Sequence, residues 1–134
     1  MNITSYADLV AAANAQAQPQ RLLFTFAAAA LPNDAKPSEQ ERFAAKQGGT
    51  LAPVMCVDKL DSELASFDAL VEESRHAGAH WDMVFVTSMS GRDGAAPSAD
   101  EAETALKTMV EAVRNGQFSN FLAFNRDGEL LQFH

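Results

Sequence analysis

Apolar runs of strand length alternate with capped amphipathic segments along nearly the whole chain. Strands that alternate with helices favour a sheet that is at least partly parallel, with right-handed crossovers. We therefore predict an α/β fold in one domain over residues 1–134, a sandwich of four helices on a mixed five-stranded sheet in the order α-β-α-β-α-β-α-β-β. An α+β fold, with an antiparallel sheet and helices on one face, is the alternative. The predicted strands are Arg21–Leu31, Leu51–Val57, Asp82–Ser90, Phe118–Asn125 and Glu129–Phe133.

The first two predicted strands carry the clearest positional information. Arg21–Leu31 is apolar on both alternating faces, which is typical of a strand in the middle of a sheet. In the second strand Pro53 lacks a backbone donor, which predicts a sheet edge or a bulge. The side chains expected on opposite faces of the first strand are Leu22, Phe24 and Phe26 on one, and Leu23, Thr25 and Ala27 on the other.

Start and stop signals place the helices. Ser98 and Glu101 have capping-box spacing, and Gly78 and Gly116 stand where helices commonly end. Asp61 is the expected cap of the third helix. The predicted helices are Ser5–Ala17, Ser38–Gln47, Asp61–Ala77 and Ser98–Asn115.

Composition indicates a globular protein of the cytoplasm. Of its 134 residues, 47% are hydrophobic and 21% are charged, and both fractions are ordinary for a globular chain. No apolar run approaches the roughly 20 residues that span a bilayer, so no membrane partner is expected. Residues Met1–Asp8 lack the features of a secretory signal, and the single cysteine fits a reducing compartment.

The charge balance disfavours nucleic acid as a partner. The chain has 18 acidic and 10 basic residues, a net charge of −8, and its basic residues are scattered singly. Nucleic-acid binders concentrate positive charge in a patch or stripe. An acidic surface instead favours solubility or a basic partner.

The residues do not form a recognisable catalytic constellation, and we predict no catalytic residue. A nucleophilic cysteine needs a base or a positive field, whereas Cys56 has Asp58 and Asp61 nearby in sequence, and acids raise the pKa of a thiol. A buried structural cysteine is therefore the preferred interpretation. We also predict surface histidines, no metal and no cofactor, because Gly78 interrupts the helix that would align His76 and His80, and His134 is the last residue.

The segment Ser88–Ser98 most resembles a ligand-binding loop. Its glycines, with Ser90 and Arg92, suit a phosphate at a helix N-terminus, but the acidic start of the following helix would repel a phosphate. A plain mobile loop is therefore preferred. The alternative is a small enzyme or ligand sensor that uses the carboxyl-edge loops, with Cys56, Asp58, Ser90 and Arg92 as its ligand-binding residues.

The C-terminal hairpin is unusually apolar. Asn125–Gly128 suits a type I turn, and the last strand is expected at or near a sheet edge. Either helix packing covers both faces of the hairpin, or an exposed patch binds a protein partner or a second copy in a weak homodimer. The candidate interaction surface is Phe121, Leu130, Leu131 and Phe133. The leading functional hypothesis is therefore a non-catalytic binding or protein-interaction module.

Three segments carry a family resemblance. Leu22–Ala29, Met55–Lys59 and the C-terminal hairpin resemble a family of small proteobacterial proteins, some of which are named ribonucleotide reductase alpha-subunit-like. A reductase needs a large barrel and several cysteines, whereas this chain has 134 residues and one cysteine. The resemblance therefore implies a bacterial cytosolic setting and no particular activity.

Overall fold

The computed structural model describes residues 3–30, 50–78 and 80–131. The predicted helix Ser38–Gln47 lies outside these residues. No helix in the described ranges is both long and apolar enough to cross a membrane. In chain order the elements are α1 (Tyr6–Asn14), β1 (Gln20–Ala30), β2 (Thr50–Leu60), a 3₁₀ turn (Asp61–Glu63), α2 (Phe67–His76), β3 (Met83–Ser90), α3 (Ala99–Arg114), β4 (Leu122–Asn125) and β5 (Leu130–Leu131).

Within the described ranges the sheet has five strands in the order β2-β1-β3-β4-β5, and the α/β fold class is confirmed. Every pairing among these strands is antiparallel, so the expected mixed sheet is wrong in this respect. The reason is the position of β1 between β2 and β3. β2 and β3 are parallel to each other, and the connection between them contains a helix. They do not form a parallel pair, however, because each of them pairs with β1 instead.

Helices cover both faces of the sheet. The α1 and α2 side chains pack on one face and those of α3 on the other, so the alternative fold is right about the antiparallel sheet and wrong about helices on one face only. The predicted division of the β1 side chains between the faces is confirmed. The first core includes Tyr6, Leu9, Leu22, Phe24, Phe26, Leu70, Trp81, Val84, Val86 and Phe124. The second includes Leu23, Ala27, Met83, Phe85, Leu106, Met109, Val113 and Ala123.

β2 is an edge strand with a bulge, as Pro53 predicts. Met55 pairs with Phe26, but the next β1 residue, Ala27, pairs with Pro53, so Val54 is an extra residue in the ladder. A bulge of this kind changes which residues face each side. Leu51 accordingly packs toward α3, whereas Met55 packs toward α1 and α2.

Helix α2 begins later than predicted. Ser66 caps it by accepting a hydrogen bond from the Ala69 amide at 3.1 Å. Asp61 is not its cap, because one carboxylate oxygen of Asp61 accepts from the backbone amide of Gln20 at 3.1 Å. The long-range hydrogen bond thus takes the place of the local cap.

The C-terminal hairpin forms around Asn125, although β4 begins at Leu122 instead of Phe118. The Asn125 side-chain oxygen accepts from the amides of Asp127 and Glu129, at 2.9 and 3.0 Å. Gly128 has a φ of +83°, which glycine adopts readily. β5 is the other edge of the sheet, as expected.

Candidate binding surfaces at the sheet end and the edge of β2

The carboxyl ends of β2 and β3 lie at the same end of the sheet. Both strands are antiparallel to β1, and Arg21 near the start of β1 pairs with Leu60 of β2 and Met89 of β3. Two of the predicted ligand-binding residues, Asp58 and Ser90, therefore lie near the start of β1, but Asp58 pairs with Leu23 and Ser90 with Gln20, so their side chains take opposite faces of the sheet. The prediction of a shared carboxyl edge assumed neighbouring parallel strands. Here the carboxyl ends of β2 and β3 share an edge because both strands are antiparallel to β1, which lies between them.

Arg21 neutralises Asp58. Its Nη1 donates to Asp58 Oδ2, and its Nε donates to the Pro97 carbonyl oxygen at 2.8 Å. Only 15% of the Arg21 side chain is exposed, against 31% for Asp58. Arg21 has no assigned role in the sequence analysis. A single charged residue at the start of an apolar central strand nevertheless indicates an oppositely charged partner, because burying a charge without a partner costs free energy.

Ser90 is also engaged within the chain. Its Oγ accepts from Gln20 Nε2 at 3.1 Å, and the same nitrogen donates to the Gln18 carbonyl oxygen at 3.0 Å. Gln20 is 5% exposed, so these hydrogen bonds satisfy an amide that water barely reaches. The sheet end is therefore a polar network whose groups already have partners in the chain.

Hydrogen bonds connect the loop after β3 to the residues that precede β1, and its mobility stays a prediction. The Gly91 amide donates to the Pro19 carbonyl oxygen and the Gly94 amide to Gln18 Oε1, both at 2.8 Å. A Cβ at Gly91 would lie 2.1 Å from the Ala95 carbonyl oxygen, so only glycine fits there. The loop thus has a defined path across the sheet end.

Arg92 extends from this loop with an exposed side chain, close to the start of α3. There the Ser98 amide donates to Glu101 Oε1 and the Glu101 amide to Ser98 Oγ, each at 3.1 Å. The hydrogen bonds from Ser98 lower the pKa of Glu101, and the positive charge of Arg92 lowers it further. The carboxylate of this capping box occupies the helix end where a phosphate was considered.

Cys56 is exposed, so the prediction of a buried structural cysteine is wrong. It lies within β2 and pairs with Thr25 of β1, on the side of the sheet that faces α3. The thiol reaches the surface because β2 is an edge strand. A sequence pattern shows that a segment is apolar, but it does not show that the strand will have a neighbour on one side only.

Thr25 is completely buried, and its hydroxyl has no hydrogen-bond partner among the described residues. Its neighbours across the ladder are Cys56 on one side and Phe85 on the other. An unpaired buried hydroxyl costs free energy. The alternation of side chains along β1 predicts the face that Thr25 takes, but it does not show that the hydroxyl is buried without a hydrogen-bond partner.

The outer edge of β2, residues 52–60, has no paired strand among the described residues. Ala52, Val54 and Cys56 are exposed along it. Val54, with 39% exposure at the bulge, is the one large hydrophobic side chain that is exposed in the described ranges. This edge combines free backbone groups with apolar side chains.

The hairpin side chains proposed as an interaction surface are half-buried. Phe121 and Leu131 pack against the core under α3, and Leu130 packs against the core on the other face. Phe133 lies outside the described residues. These contacts support the alternative in which core packing covers the hairpin, and its use as an interface stays a prediction.

The two histidines that the structure describes are on the surface, as predicted. The side chains of His76 and His80 are 80% and 73% exposed, and His80 Nε2 lies 3.1 Å from Asp82 Oδ1. Within the described ranges, no group of three or more His, Cys, Asp or Glu side chains is arranged to hold a metal ion. His134 lies outside the described residues.

No family model, curated protein or solved structure matches this chain. The features of the chain that bear on its function are therefore the sheet end, the edge of β2 and the hairpin.

Proposed function

We propose that this chain is a non-catalytic protein-interaction module of the bacterial cytosol, and that it binds an extended segment of a partner protein along the outer edge of β2. The observation that carries the proposal is an edge strand of 11 residues that pairs with β1 on one side and has no described strand on its outer side. Such an edge presents a row of backbone donors and acceptors to another chain. Strand addition of this kind takes its affinity from main-chain hydrogen bonds and its specificity from alternate side chains.

Charge and polarity support an apolar partner segment. The two charged residues of β2 are neutralised within the chain, Asp58 by Arg21 and Lys59 by Glu73, whose carboxylate lies 2.8 Å from Lys59 Nζ. Residues 50–57 carry no charge in a protein with a net charge of −8. Because the charges of Asp58 and Lys59 are also paired within the chain, a partner strand along β2 meets little of the repulsion that the acidic surface would impose elsewhere.

The bulge limits where a partner strand pairs. Proline and bulges are common means of protecting an edge from pairing, and Pro53 and Val54 have these roles in the first half of β2. Regular pairing is therefore confined to residues 55–60. The exposed side chain of Val54 then lies at the end of the paired segment and contacts an apolar residue of the partner.

Self-association along the same edge is a special case of this proposal. Two copies each carry a net charge of −8, which opposes their approach. We therefore expect a homodimer through β2, or through the hairpin edge at β5, to be weak.

A phage-displayed library of random 12-residue peptides tests strand addition and requires no identified partner. Selected peptides should be extended and apolar, and they should slow the amide exchange of residues 55–60 in the purified protein. Val54→Lys should weaken their binding at least tenfold, because it places a charge at the apolar contact. Ser62→Lys is the matched control, since Ser62 is exposed just beyond the strand.

The peptide experiment has a clear negative result. Peptides that protect the hairpin or the loop after β3 instead of residues 55–60 would contradict the proposal, and so would a selection that yields no binder. Equal weakening by the two lysine substitutions would show that added charge, and not the edge, determines binding. Unfolding curves of both variants establish that each remains folded.

A ligand sensor at the sheet end is the second candidate. It is favoured by one observation: Asp58 and Ser90 lie at the same end of the sheet, beside the loop that carries Arg92. Cys56 lies two residues before Asp58 on β2. A thermal-shift screen with common anionic metabolites tests it, because a bound ligand stabilises the fold according to its occupancy. A saturable shift that Arg92→Ala abolishes would support a sensor.

The control for this screen is Arg75→Ala, which removes an exposed arginine of α2 instead. A shift lost equally in both variants would indicate a general charge effect. If no metabolite gives a saturable shift, the sensor is rejected and the interaction module remains.

A further inference from the structure

We draw no further inference here: the strongest candidate, the exposed thiol of Cys56 paired across the ladder with the buried, unpartnered Thr25 on the α3 side of β2, belongs to the surface already described, and nothing in the described residues shows a ligand or a covering chain there.

Discussion

Thr25→Val should stabilise the protein. Thr25 is 0% exposed and its hydroxyl has no hydrogen-bond partner among the described residues, so folding removes that group from water without compensation. Mutational data put the cost of such a group at about 1–3 kcal/mol. Valine replaces the hydroxyl with a methyl group in nearly the same volume and suits a strand, so it leaves no cavity. We therefore expect the free energy of unfolding to rise by about 1–2 kcal/mol.

Urea unfolding followed by the fluorescence of Trp81, the single tryptophan, measures this change directly. The expected gain corresponds to an increase in Tm of roughly 3–8 °C for a domain of this size. Thr87→Val is the matched control, because Thr87 lies on the neighbouring strand β3 and is only half-buried. The control should change stability by less than about 0.5 kcal/mol.

Thr25→Ser separates the two properties of the side chain. It keeps the hydroxyl and removes the methyl group, so it should destabilise the protein by about 1 kcal/mol. If Thr25→Val is instead neutral or destabilising while Thr25→Ser is tolerated, then the hydroxyl has a partner in the folded protein and the expected gain in stability is refuted.

Two further predictions concern the core between the sheet and the helices α1 and α2. Ser74→Ala should destabilise the protein by about 1–3 kcal/mol, because Ser74 Oγ accepts a hydrogen bond from the fully buried Trp81 Nε1 at 2.8 Å. Urea unfolding measures the change in the free energy of unfolding. A loss below about 0.5 kcal/mol would show that the indole N–H finds another acceptor. Burial, with the negative charge of Glu73, raises the pKa of Tyr6 to about 12. Above pH 10 the unfolded chain loses this proton while the folded protein keeps it, so stability should fall between pH 10 and 12, by less than about 1.4 kcal/mol per pH unit. Tyr6 is the single tyrosine, so its absorbance at alkaline pH reports its titration, and Tyr6→Phe should remove its share of the fall in stability; an ordinary titration near pH 10 would contradict the burial argument.

The sequence by itself determined the features that depend on local periodicity and local hydrogen bonding. The two apolar faces of β1 follow from alternation alone, and the structure assigns its side chains to the predicted faces. The Ser98–Glu101 capping box needs only a spacing of three residues, and it forms as expected. Pro53 predicts an edge strand or a bulge because proline has no backbone N–H and cannot donate a ladder hydrogen bond in any sheet.

Only the tertiary structure decided which strands are neighbours and which side chains are covered. Alternation tells which face a residue takes, but it does not tell which strand pairs with which, and here β1 lies between β2 and β3. That order leaves Cys56 exposed on an edge strand and gives Arg21 its partner Asp58. It also takes Asp61 away from the helix it was expected to cap. These outcomes depend on contacts between residues far apart in the chain, whose free energies a local pattern does not contain.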